Sequence, residues 1–349
     1  MTLHHISPGV IYAAAFVLAG AVSVLATPAI VRLAVRLRIV DDDGHDRRMH
    51  DLPKPRVGGI AVFFGFAFAL FAMLGIALGT PFALIPAAEQ FDAIHRLVGL
   101  LFGSLLILGV GIWDDVMQMR PRNKLLAQIV VASISMLYGF VIPGMNNPFD
   151  HNPGTNWIDF PLWLGVPLTL LWYVGMMNAI NFLDGLDGLL TGVAAISSLF
   201  LFVISVVHGN PVVALVVVAL AGAALGFLPY NFNPARIILG DAGSLFIGYV
   251  FATVSIIGAS KTAIAISIVV PLLVLALPVL DTAAAIVRRA RSGKRITEAD
   301  RGHFHHQLIF RFGLNVRQAV LLLYAVCFVL GAVALAFSGE FTHVFRHAT

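Results

Sequence analysis

Long apolar stretches recur from one end of the chain to the other, parted by short polar intervals. An α-helix rises 1.5 Å per residue, so about 20 apolar residues cross the roughly 30 Å of hydrocarbon in a bilayer. Ten stretches reach or approach that length, at 10–32, 57–79, 97–113, 124–142, 161–178, 189–207, 211–229, 243–259, 263–281 and 318–338. They predict an all-α integral membrane protein of about ten transmembrane helices. No soluble-domain-sized interval, heptad or low-complexity tract interrupts them, so 1–349 reads as a single polytopic membrane domain. The first span reads as an anchor and not a cleaved leader. Met1 to Pro8 lack Lys and Arg, the apolar run is too long, and the basic cluster RLAVRLR follows it.

The register of the spans can be tested by numbering the loops alternately and asking where basic residues fall. The loops at 32–56, 114–124, 178–188, 230–242 and 282–317 carry 7, 3, 0, 1 and 8 Lys and Arg residues, 19 of the 22 in the chain. Only Arg96, Lys261 and Arg346 lie on the other side. Basic residues favour the cytoplasmic side, so these five loops are expected to be cytoplasmic and both termini outside. Acidic residues do little to set orientation, yet 13 of 18 share that face, several of them at span ends beside Gly. Polar chemistry is therefore concentrated on one membrane face, and an active site is expected there.

Composition narrows the classes further. Apolar residues make up 59% of the chain and charged residues 11%, against roughly 25% charged in soluble domains, and mean hydropathy is +0.92. A water-soluble globule and a disordered chain are both excluded. A formal charge of +4 is too weak a field for a nucleic-acid binder. The single cysteine, Cys327, rules out an intramolecular disulfide and a thiolate-built zinc or iron–sulfur site. The segment 143–160, rich in Pro, Gly and Asn, reads as a surface loop of turns, with a short hairpin as the other reading.

Four polar motifs carry the candidate chemistry. In GIWDDVMQMRPRNK, Asp114 and Asp115 end the third span and Lys124 opens the fourth. Adjacent carboxylates near hydrocarbon need a cation, a metal or a proton to neutralise them; a solvated helix end balancing Arg120 and Arg122 is the other reading. In NAINFLDGLDGLLTG, Asn178, Asn181, Asp184 and Asp187 recur every three residues, which puts neighbours near one helical face, and Gly185 and Gly188 allow close approach of a ligand. Short oxygen ligands suit magnesium and backbone N–H groups suit phosphate. Four such residues exceed what capping the next span requires. In NFNPARIILGDAGSLFIG, Asp241 and Ser244 stand at the start of the eighth span, as a metal ligand or simply as a cap. In RGHFHHQLIFRFG, His303, His305 and His306 follow Arg301; their spacing is unlike a zinc helix and better suits phosphate or sugar hydroxyls, with a solvated loop as the alternative.

Together, in their order, spacing and common side, these motifs resemble those of the polyprenyl-phosphate N-acetylhexosamine-1-phosphate transferase superfamily, glycosyltransferase family 4. It contains bacterial GlcNAc-1-phosphate transferases and phospho-MurNAc-pentapeptide translocase. The resemblance runs from about residue 30 to residue 310. HDLPKPRVGG at 50–59 and the break of the histidine run by Phe304 are similar to the GlcNAc-1-phosphate branch, whereas the translocase branch shows three consecutive histidines.

The resemblance implies transfer of GlcNAc 1-phosphate from a UDP-N-acetylhexosamine to undecaprenyl phosphate, giving the polyprenyl-diphosphate sugar and UMP. That is a first membrane step of cell-envelope polysaccharide synthesis of the O-antigen, enterobacterial common antigen or teichoic-acid type, in the bacterial inner membrane. It places Asp114 and Asp115 as the catalytic pair and Asp241 with Asn181 on magnesium, manganese being an alternative occupant. Asp184, Asp187 and Gly188 would border nucleoside and sugar, and Lys124 would meet a phosphate. Arg301, His303, His305 and His306 would surround the pyrophosphate or sugar, and Asn178 would support the metal ligand. Polyprenyl phosphate and the lipid bilayer are the implied partners, and a homodimer is the assembly the resemblance suggests. A phosphate monoester is already largely ionised at neutral pH, with a second pKa near ~6, so direct displacement with Asp114 or Asp115 as base is the expected route, a phospho-aspartate intermediate being the alternative.

Two other classes compete. A transporter would place ionisable groups near mid-membrane and show related halves, whereas here the acids fall at span ends. A non-catalytic scaffold explains the basic loops but not the clustered Asp, Asn and His.

Overall fold

The computed structural model describes residues 7–41, 54–79, 89–146, 157–259, 308–310 and 312–337. In chain order the elements are α1 (Pro8–Arg36), β1 (Val40–Asp41), β2 (Lys54–Pro55), α2 (Gly59–Gly79), α3 (Gln90–Met117) and α4 (Pro121–Leu137). Then come β3 (Gly144–Asn146), β4 (Trp157–Asp159), α5 (Leu162–Leu183), α6 (Leu189–Val207), α7 (Pro211–Asn231), α8 (Gly240–Ala259) and α9 (Val316–Phe337). Nine predicted spans are helices; the span expected at 263–281 lies outside the described residues. Among the described residues seven helices, α1, α3 and α5 to α9, are long and apolar enough to cross a membrane. The chain is an all-α integral membrane protein.

Helix starts follow local chemistry. Pro8, Pro121 and Pro211 each stand in a first turn, where a missing N–H costs nothing. The Asn210 side chain accepts the Val213 N–H and caps α7. Proline also lies inside α1, α5 and α7, as membrane helices tolerate when neighbours re-satisfy the backbone.

The ends of the helices differ from the predicted spans in a way that matters. Helix α3 runs on through Asp114 and Asp115 to Met117, α5 runs on through Asn178 and Asn181 to Leu183, and α8 begins at Gly240, before Asp241. Hydropathy fades where these polar residues begin, but their side chains are hydrogen-bonded within the bundle, so the helices continue. The segment 143–160 takes the hairpin alternative over the plain loop: β3 pairs antiparallel with β4, Met145 opposite Ile158. The Trp157 indole N–H donates to Asp159, and the Phe160 N–H donates to the Pro143 carbonyl, closing the hairpin.

Helix α8 is central and buried along most of its length, packed against α2, α3 and α5. Helix α7 packs against α1, α2 and α6, and α9 against α6. The aromatic run of α2 divides by face. Phe63 and Phe66 pack edge-on against Phe246 of α8, while Phe64, Phe68 and Phe71 point outward at the spacing of one helical face. The second group is the surface a bilayer would cover.

Candidate active site

The last turns of α3 and α5 and the first turns of α4 and α8 meet at one end of the bundle. They bring together Asp114 and Asp115, Asn181, Lys124 and Asp241. The Lys124 ammonium is the hub. It donates to Asp241 Oδ2 at 2.5 Å and to Asn181 Oδ1 at 3.3 Å, and lies 2.8 Å from Asp114 Oδ2. Asn181 in turn donates to Asp241 Oδ1 and Ser244 Oγ, both at 2.7 Å. Asp114 Oδ1 accepts the Met119 N–H at 2.7 Å, which fixes the carboxylate as the chain leaves α3.

Asp115 is used differently. Its two oxygens accept the backbone N–H groups of Asp241 and Ala242 at 2.8 and 2.9 Å. Those donors belong to the first turn of α8, whose partial positive charge favours an anion. The end of α3 thus caps the start of α8 from another helix. Gly240 makes the approach possible: its φ is +75°, and a side chain there would strike the Arg56 carbonyl and come within 2.7 Å of Asp115 Oδ2.

Asp184 follows α5 and keeps some contact with solvent, but it stands among protein atoms on most sides. Desolvation pushes its carboxyl up from 3.8 to about 8, and the Asp241 and Asp115 carboxylates add to the rise. Arg56 and a hydrogen bond with the Gly240 backbone oppose it.

Asp187 anchors a neighbouring cluster. Its Oδ2 accepts from Lys54 Nζ at 3.1 Å, Asn233 Nδ2 at 3.2 Å and the Ala235 N–H at 3.0 Å. The ion pair is well buried, and it ties β2, the α5–α6 turn and the α7–α8 link together. Lys54 is held here by Asp187. Gly188 is the N-cap of α6 with φ +84°, and its carbonyl accepts the Tyr324 hydroxyl of α9 at 2.5 Å.

Asn178 stands one turn from Asn181 and donates to Gln128 Oε1 and the Val174 carbonyl, both at 2.8 Å. It therefore faces α4. Arg301, His303, His305 and His306 lie outside the described residues, as do Asp281 and the stretch 282–300. Three residues of the site escaped the sequence reading. Gln128 was visible as a polar residue inside an apolar span, four positions after Lys124, a pattern that signals function in membrane helices. Asn233 and Tyr324 act only through the folded arrangement, and nothing in their local sequence marks them.

The donor set suits a hard divalent cation. Among the described residues no three His, Cys, Asp or Glu side chains form a ready-made cage. What converges on one point is two carboxylates, Asp114 and Asp241, and the Asn181 amide oxygen, all now turned to the Lys124 ammonium. That point already holds one positive charge, the Lys124 ammonium. Few protein oxygens and remaining coordination to water and phosphate are what magnesium accepts.

Comparison with known proteins gives the family. Residues 97–259, from α3 through α8, match glycosyl transferase family 4. The chain is 33% identical over 326 residues to a probable undecaprenyl-phosphate N-acetylglucosaminyl 1-phosphate transferase of Bacillus subtilis, covering 92% of this chain and 83% of the relative. It is 33% identical to the decaprenyl-phosphate N-acetylglucosaminephosphotransferase of Mycobacterium tuberculosis, with 88% and 77% covered. It is 30% identical to the phospho-N-acetylmuramoyl-pentapeptide-transferase of Staphylococcus aureus, with 85% and 88% covered. Because the match spans the helices that build the acidic cluster and the relatives are covered over most of their length, the chain belongs to glycosyl transferase family 4.

Proposed function

We propose that the protein transfers N-acetylglucosamine 1-phosphate from a UDP-sugar to undecaprenyl phosphate, releasing UMP, at the cytoplasmic face of a bacterial inner membrane. The observation that carries this reading is the convergence of Asp114, Lys124, Asn181 and Asp241 at one end of an apolar bundle. There a lipid tail can stay in hydrocarbon while its phosphate meets a water-soluble donor. The names of the two 33%-identical relatives point to the same sugar and the same class of acceptor.

Each residue has a definable task. Asp241 and Asn181 would hold magnesium, with Asp114 beside them. When bound, the ion supplies charge neutralisation for the diphosphate and the departing UMP. Lys124, held among three oxygen donors, is placed to pass its hydrogen bonds to phosphate oxygens as charge develops on them. The nucleophile is the lipid phosphate oxygen, which attacks the β-phosphorus of the UDP-sugar; the bond from that phosphorus to the UMP oxygen breaks. Asp114 takes any residual proton from the lipid phosphate. Asp115, with both oxygens engaged by α8, orients Asp241. Asp187, Gly188 and Asp184 border the donor, and Arg301, His303, His305 and His306 complete its pyrophosphate and sugar contacts. Ten spans with both termini outside, and a homodimeric assembly, complete the proposal.

The test is a donor panel. Purified protein receives polyprenyl phosphate, magnesium and one UDP-sugar at a time, and UMP is measured. Release with UDP-GlcNAc above other UDP-N-acetylhexosamines is expected. Release only with UDP-MurNAc-pentapeptide, or with none, would refute the assignment.

A further inference from the structure

One buried polar atom at the base of this cluster has no use in the roles just given. Gln128 on α4 is fully buried, and its side-chain amide nitrogen makes no hydrogen bond among the described residues. Its oxygen accepts from Asn178 Nδ2 at 2.8 Å. The orientation of the amide is chemically forced. Asn178 Nδ2 also donates to the Val174 carbonyl, so it is a donor, and Gln128 must present its acceptor oxygen to it. The Gln128 NH2 group is therefore the orphan, with hydrogens to give and nothing to take them. Buried donors without partners are rare in folded proteins, and one beside a charged cluster calls for an explanation.

The position of Gln128 narrows what that acceptor is. It follows Lys124 by four residues, one turn along the same face of α4, roughly 6 Å further from the helix start at Pro121. Beyond it on the same face are Val131, Ala132 and Ser135, all buried, with Ser135 bonded to Tyr249 of α8. Gln128 thus lies one turn deeper in the bundle than Lys124, between the charged cluster and the bundle interior. A group that meets it must carry an oxygen acceptor and reach one turn further into the bundle than Lys124. Gln128 is neutral, so it adds a donor for an anionic oxygen without adding a charge to be desolvated.

We infer that Gln128 is a binding residue for the phosphate of the lipid acceptor, its amide N–H donating to a phosphate oxygen one turn deeper than Lys124. Asn178 is the positioning residue that keeps the amide turned for this. The inference rests on the proposed prenyl-phosphate acceptor but is read by binding, not by turnover.

The full-length protein, wild type or carrying Gln128→Glu or Gln128→Leu, is titrated with a polyprenyl phosphate and with the matching polyprenol. Gln128→Glu keeps the acceptor oxygen for Asn178 and replaces the donor; Gln128→Leu removes both. Wild type should bind the phosphate more tightly than the alcohol. Both variants should lose on the order of tenfold in affinity for the phosphate, with affinity for the alcohol and for UDP-GlcNAc unchanged. Equal affinity of variants and wild type for the phosphate overturns the inference. So does an equal loss for the alcohol, which would mean a packing effect, or a wild type that does not distinguish phosphate from alcohol. UMP release by wild type is measured alongside. If phosphate binding depends on Gln128 while no UMP appears, the transfer reaction fails and the inference stands; if UMP appears and the variants bind as wild type, the reverse holds.

Discussion

At the scale of single residues, the site separates acids that look alike in sequence. Asp114 and Asp115 are neighbours, yet one faces the Lys124 ammonium and the other caps a helix. Nothing in the dipeptide itself could divide these roles, because the division depends on which helix start lies opposite. The conjunction of Asp, Asn and Lys at span ends was legible beforehand, since such residues have no reason to lie against hydrocarbon unless they meet one another. Asp184 offers a test through pH. Its folded pKa of about 8 lies above its ordinary value of 3.8, so between these values the folded protein holds a proton that the unfolded chain releases. The folded state then binds more protons, and stability falls as pH rises through that window. Thermal unfolding at pH 5.5 and pH 8.5 should show a larger drop for wild type than for Asp184→Asn, measured without divalent ions. Equal drops would mean that Asp184 does not carry the buried proton.

At the scale of elements, the site is made by helix ends, and one carboxylate joins two of them. Asp115→Ala removes both side-chain acceptors from the first turn of α8 and leaves two N–H groups without partners. A loss of about 1–3 kcal/mol in unfolding free energy is expected. Asp115→Glu should recover little of it, because the longer side chain must fit where Gly240 and Asp115 already meet closely. An unchanged unfolding midpoint for Asp115→Ala would show that the cap is dispensable. The order of the nine helices among the described residues was readable from apolar length, because a helix core in lipid needs a minimum span. The helix ends were not. Hydropathy treats Asn178 and Asn181 as the end of a span, whereas hydrogen bonds to α4 and α8 carry α5 on to Leu183. The β3–β4 hairpin was visible only as the alternative to a loop, since three-residue strands rich in turn formers leave no alternating pattern.

At the scale of the whole molecule, apolar helices hold a polar rim at one end, and the placement of the basic loops predicts that this end faces the cytoplasm. The assignment can be checked with single cysteines, since the one native cysteine, Cys327, is buried. Arg120→Cys should react with a membrane-impermeant thiol reagent only from the cytoplasmic side, and Ile158→Cys only from the opposite side; reaction of both from one side would break the span count. The central claim is that Asp241 and Asn181, with Lys124 between them and Asp114, form one cation-dependent phosphate site. Its most direct measurement is UMP release from UDP-GlcNAc and polyprenyl phosphate across a magnesium titration, for wild type and Asp241→Asn. Wild type should be silent in chelator and rise saturably with magnesium, and Asp241→Asn should be slower by roughly a hundredfold or more at every concentration. Turnover in chelator, or an Asp241→Asn protein that matches wild type, would contradict the account.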